Sequence, residues 1–102
     1  MYGLKDSDVE IILGVLAKYS DVEKAVIYGS RAMDNYKHGS VVDIAVYSEQ
    51  RANIEFKIAG ELNEETLLPF KFDVIDFAKI KEPALKEQIE RHGVIIFSKW
   101  LK

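Results

Sequence analysis

The sequence predicts an α/β domain of the α+β type, a small mixed sheet of about four strands with helices packed on it. Three observations lead there. Segments of helical spacing alternate with short extended runs along the chain. Both prolines, Pro69 and Pro83, fall between those segments. The 102 residues, 48% hydrophobic and 30% charged, suit one domain (1–102) with one core.

The elements follow in order. Ser7-Asp8-Val9-Glu10 reads as a capping box, and Val9, Ile12, Leu13 and Leu16 behind it predict a helix over Asp8–Tyr19. Ala25-Val26-Ile27-Tyr28 is a strand that stops at Gly29. Val41–Tyr47 is a second strand, with Val42, Ile44 and Val46 on one face and Val41, Asp43, Ala45 and Tyr47 on the other. Ile54, Ile58 and Leu62 mark a helix over Gln50–Glu65. Phe70–Ile75 is a third strand, with Phe70, Phe72 and Val74 opposite Lys71, Asp73 and Ile75. Asp76 caps the turn Phe77–Ile80. Pro83 opens a last helix containing Leu85 and Ile89, and Gly93 is its C′ stop. Val94–Phe97 closes the sheet.

Charge and composition narrow the chemistry. Fourteen Lys and Arg against seventeen Asp and Glu give a net charge of −3, which argues against binding nucleic acid through the overall field. The absence of Cys removes disulfide frameworks, thiol nucleophiles and Cys-type zinc sites. No leader-like or spanning apolar stretch is seen, so the expectation is a cytoplasmic chain without membrane contact.

Two kinds of residue stand out. Gly29-Ser30-Arg31-Ala32 sits where a strand ends, and there a glycine backbone, a hydroxyl and a guanidinium fork suit phosphate. Lys37 and His38 add positive charge in the loop that follows. An ordinary strand-to-helix turn capped by Ser30 is the plain alternative. Asp43 and Asp73 each stand mid-strand between apolar residues, where a carboxylate needs a cleft, a metal or a partner charge. They meet only if their strands are neighbours and share a face. In that case their repulsion invites an oxygen-loving divalent cation, Mg²⁺ or Mn²⁺. Otherwise each is a strand-edge charge paired with a lysine.

Tyr28-Gly29-Ser30-Arg31-Ala32, Gly39-Ser40-Val41-Val42-Asp43-Ile44-Ala45-Val46 and Phe72-Asp73-Val74-Ile75-Asp76 resemble the minimal nucleotidyltransferases of the DNA polymerase beta-like superfamily. The resemblance extends over nearly the whole chain. It implies that Gly29 and Ser30 hold a triphosphate, with Arg31 a candidate contact, and that Asp43 and Asp73 are catalytic metal ligands. It further implies transfer of a nucleoside monophosphate, from ATP or another nucleoside triphosphate, to a hydroxyl. The expected partner is a separate helical HEPN-type protein, as in toxin–antitoxin pairs, or a second copy.

The sequence departs from the family pattern at one ligand. Asp43 matches the second Asp of an Asp-x-Asp pair, whose members share a strand face. The first position holds Val41. Each charge contact with a metal is worth several kcal/mol at an effective dielectric of about 20. Losing about 4 kcal/mol of transition-state stabilisation slows chemistry roughly a thousandfold. The expectation is weakened transfer. The alternative is a non-catalytic nucleotide- or partner-binding module, such as the antitoxin half of a pair. Asp34 adds a negative charge to the loop beside the phosphate turn.

Overall fold

The structure, a computed structural model, describes residues 3–29, 31–32, 41–48 and 53–99. Its elements run α1 (Asp6–Ala17), β1 (Val22–Tyr28), β2 (Val42–Ser48), α2 (Ile54–Glu64), β3 (Phe72–Asp76), a 3-10 turn (Phe77–Lys79), α3 (Pro83–His92) and β4 (Val94–Ser98). The four strands lie in the order β3-β2-β1-β4. β1 pairs antiparallel with β2 and with β4, whereas β2 and β3 are parallel and joined through α2. The predicted mixed sheet of about four strands is therefore present.

The alternation along each strand sorts the core into two layers. Ala25, Ile27, Val42, Ile44, Val46, Phe72 and Val74 form one face, on which α1 sets Ile12, Val15 and Leu16 and α2 sets Ile54, Ile58 and Leu62. Val26, Tyr28 and Ala45 form the other, covered by Ile89 of α3. There the Tyr47 and Phe77 rings stack 4.4 Å apart. Tyr19, two residues past α1, donates its hydroxyl to Glu61 of α2 at 2.9 Å, which ties the end of α1 to α2.

Several boundaries differ from the sequence reading, each for a local reason. α1 begins at Asp6, and Asp8 rather than Glu10 reaches back, accepting a hydrogen bond from the Lys5 backbone N–H at 2.9 Å. Asp8 thus fills the acidic role of the capping box, one residue type shorter and two positions earlier. Phe70 precedes β3 rather than belonging to it. The predicted start of α2 at Gln50 lies outside the described residues. Gly93 ends α3 with φ −69°, ordinary extended backbone rather than a left-handed stop. Space, not φ, demands a glycine there: a Cβ would lie 2.3 Å from both the Ile89 carbonyl oxygen and Val26 Cγ1. Asp76 caps the 3-10 turn as expected, accepting from the Ala78 N–H at 3.0 Å. Among the described residues no helix is long and apolar enough to cross a membrane.

Candidate active site

The registers of the central strands bring the singled-out carboxylates together. Tyr28 of β1 pairs with Asp43 of β2, and Asp43 pairs with Asp73 of β3. Directly opposed residues point to the same face, so the three side chains form a row across the sheet on its α3 side. The row lies at the end where β1 finishes and β2 and β3 begin. The condition set by the sequence, neighbouring strands with a shared face, is met.

Gly29 follows immediately and turns with φ +78°, a left-handed conformation that side chains rarely adopt. A Cβ on Gly29 would come within 2.8 Å of Asp43 Oδ2. The glycine therefore provides the turn and also the room for the carboxylate. Ser30, Asp34, Lys37 and His38, named from the sequence, lie outside the described residues.

Arg31 is 2% exposed, its guanidinium carbon 5.1 Å from the centroid of the Phe70 ring. Its charge reaches Asp43 from inside the protein rather than from an open surface. Burial pushes the Asp43 carboxyl above the ordinary carboxylate range, Asp73 pushes it further, and Arg31 opposes both. The neighbouring Tyr28 phenol is pushed up to about 12, first by burial and then by Asp43 and Asp73. The carboxylate pair thus holds negative charge that the protein answers only partly. A bound cation would answer the rest.

Val41 stands two residues before Asp43, on the same face, and is 37% exposed. The Val42 N–H donates to the Lys71 carbonyl at 2.9 Å, so β3 runs alongside this end of β2. The position where the family resemblance implies a carboxylate thus holds an apolar side chain in partial contact with water. Among the described residues, no group of three or more His, Asp or Glu is placed to hold a metal ion. Asp43 and Asp73 could together hold a single hard cation, which would draw further oxygen ligands from water or a bound molecule.

Sequence reasoning missed two features. Tyr28 enters the sequence reading as a strand residue that opens the Gly-Ser motif, with no role at the site; its place beside Asp43 comes from the register of β1 and β2. Glu55 carried no signal, because its burial depends on Lys79 and the edge of β3, both distant in sequence.

Residues 10–100 match the family model described as Polymerase beta, Nucleotidyltransferase. No match was found among curated proteins. By structure the chain is similar to one in a toxin–antitoxin crystal structure with AMP-PNP, with TM-score 0.74, 20% identity, and coverage of 90% of this chain and 74% of that one. It is similar to a chain of the MntA-HepT toxin–antitoxin crystal structure, with TM-score 0.70, 18% identity, and coverage of 94% and 74%. It is also similar to a chain in the complex of the tri-AMPylated Shewanella oneidensis HEPN toxin with its MNT antitoxin, with TM-score 0.67, 19% identity, and coverage of 90% and 71%. At these identities the structural likeness establishes the fold.

Proposed function

Because the chain belongs to the polymerase beta nucleotidyltransferase family, we propose that it transfers a nucleoside monophosphate from a nucleoside triphosphate, ATP in the first instance, to a hydroxyl acceptor. The observation that carries this reading is the same-face register of Asp43 and Asp73 beside the left-handed turn at Gly29. The unanswered negative charge of the pair fits Mg²⁺ or Mn²⁺, and Asp43 and Asp73 would hold it. When bound, the cation supplies positive charge to the triphosphate and makes the acceptor hydroxyl easier to deprotonate.

The residues of the chain divide the remaining work. The turn at Gly29 and the Ser30 hydroxyl receive the phosphates, and the Arg31 charge opposes the burial that pushes the Asp43 carboxyl up. Tyr28 keeps its proton throughout the working pH range. The acceptor oxygen bonds to the α-phosphorus as the bond from that phosphorus to the α–β bridging oxygen breaks. Pyrophosphate leaves with the electron pair. The hydroxyl proton passes to Asp73, the more exposed of the two carboxylates. With Val41 in place of a third carboxylate, turnover is slow.

The partner reading is supported by one structural neighbour, a complex of an MNT antitoxin with a HEPN toxin that carries AMP. We propose a HEPN-type protein, or a second copy of this chain, as the acceptor or binding partner. The exposed Val41 also supports a second reading, a non-catalytic antitoxin module that binds nucleotide or partner without turnover. Titration with MgATP and an AMP-transfer assay on wild type and Val41→Asp separate the two. Slow transfer that Val41→Asp accelerates supports the enzyme, and nucleotide binding without transfer in the wild type supports the module. Absence of ATP binding in both proteins refutes the enzyme and any nucleotide-binding role, and leaves only a module that binds its partner.

A further inference from the structure

A groove of about 410 Å³ runs along the outer side of β3. Asp73, Val74, Ile75 and Asp76 all line it. Successive strand side chains point to opposite faces, so a cavity touched by four consecutive residues lies along the strand's edge. β3 is indeed the outermost strand on its side of the sheet. The walls come from both layers: Glu55 and Phe56 of α2 on one side, and Ile80 and Leu85 around the start of α3 on the other.

The backbone of this edge is partly claimed. The Phe72 N–H donates to Asn63 Oδ1 at 2.8 Å, and the Phe72 carbonyl accepts from Asn63 Nδ2 at 3.0 Å. Phe72 therefore presents its polar groups outward, as do Val74 and Asp76 by the two-residue period of a strand. Asn63 blocks the first of these positions, so the open edge begins at Val74.

The groove is also acidic inside. Glu55, Asp73, Asp76 and Glu82 face only Lys79 and Lys81 among its charged lining residues. Lys79 takes Glu55 Oε2 at 2.9 Å. The other oxygen, Glu55 Oε1, is buried and has no hydrogen-bond partner among the described residues, and the residue is 5% exposed. A buried carboxylate oxygen left without a donor costs stability until something supplies one.

We propose that this edge is where the acceptor docks, as an extended polypeptide segment that adds a strand to β3. This rests on the nucleotidyl-transfer reading above. An open strand edge offers alternating backbone donors and acceptors, which a polypeptide main chain matches and a nucleic-acid backbone does not. The acidic lining likewise rejects phosphates and receives a cation. Asp73 lies on the α3 face, whereas Asp76 and Glu55 lie on the α1/α2 side, roughly 10 Å further along. A docked strand that offers a hydroxyl to Asp73 therefore places the residue three positions away against Glu55. The segment recognised carries Tyr, Ser or Thr three residues from Arg or Lys, whose cation faces the Glu55 carboxylate at the groove wall.

The test uses the full chain and short synthetic peptides of otherwise Val, Thr and Gln composition. One pair bears Tyr and Arg three residues apart, in either order, and a control pair replaces Arg by norleucine. Amide exchange at Val74 is followed by NMR, with Mn²⁺·ATP binding measured separately. An Arg-bearing peptide of one order is expected to slow Val74 exchange, and Glu55→Gln to weaken that peptide roughly tenfold, the scale of one charge-assisted hydrogen bond. Phe56→Lys, at a mostly exposed wall position, should weaken it as well by setting a cation beside the peptide's own, while leaving the fold intact. The docking proposal is overturned if no peptide at millimolar concentration protects Val74, if the norleucine controls bind equally well, or if a single-stranded oligonucleotide protects Val74 instead. Loss of Mn²⁺·ATP binding with Val74 protection intact would overturn the transfer reading and leave the docking edge standing.

Discussion

Replacing Gly29 by alanine should be costly for two separable reasons. The φ of +78° is left-handed, and placing an L-residue there costs about 1–2 kcal/mol. The new Cβ would also stand 2.8 Å from Asp43 Oδ2, too close for either to stay. Turning the Asp43 side chain off its preferred rotamer adds about 1 kcal/mol. Gly29→Ala should therefore lose about 2–3 kcal/mol, the sum of these two terms. In a domain of this size that lowers Tm by roughly 10–20 °C. Urea and thermal unfolding followed by circular dichroism measure it. In an Asp43→Ala background only the backbone part should remain, so the same substitution should cost about 1–2 kcal/mol there. A Gly29→Ala protein as stable as wild type would refute the strained turn. An equal cost in both backgrounds would refute the contact with Asp43.

Other consequences follow from the same geometry. Asp43 has its pKa raised on folding, so its contribution favours the native state below the ordinary value of 3.8 and is lost as pH rises through the folded-state value. Asp43→Asn should consequently be more stable than wild type at neutral pH, with the gain shrinking toward pH 3.8 in urea titrations across pH. A mutant less stable at neutral pH would contradict this. Gly93→Ala should lose about 1–3 kcal/mol in the same unfolding assay, because its Cβ meets Val26 and the α3 backbone at 2.3 Å. Trimming Val26 to alanine should recover part of that loss. Ile58→Ala, at a fully buried position under the sheet, should cost about 2–5 kcal/mol in urea.

Much of the site was legible before the fold. The alternation of Val42, Ile44 and Val46 against Asp43 and Ala45 assigns the faces of β2, because a half-buried strand leaves only one register for its apolar residues. The pairing of Asp43 with Asp73 was conditional, since nothing local to either strand specifies which strands are neighbours. The parallel crossover through α2 supplies that condition. Gly93 was assigned to the right place for the wrong reason: its constraint comes from Val26 across the layer, which no reading of the helix end contains. Arg31 is singled out in the sequence only as a fork suited to phosphate. Its burial against Phe70 depends on a contact between distant parts of the chain. Glu55 was invisible for the same reason, as a lone Glu in a helix is ordinarily solvated. Val41 is the opposite case, where the departure from the family pattern is read from the sequence alone and the fold adds only its exposure.

The most direct test is Mn²⁺ binding followed by electron paramagnetic resonance in the presence of a non-hydrolysable ATP analogue. Wild type should bind Mn²⁺ weakly, Val41→Asp should bind it more tightly, and Asp43→Asn and Asp73→Asn should each abolish it. Mn²⁺ binding that neither Asp substitution alters would place the metal elsewhere and contradict the assignment of Asp43 and Asp73 as the site.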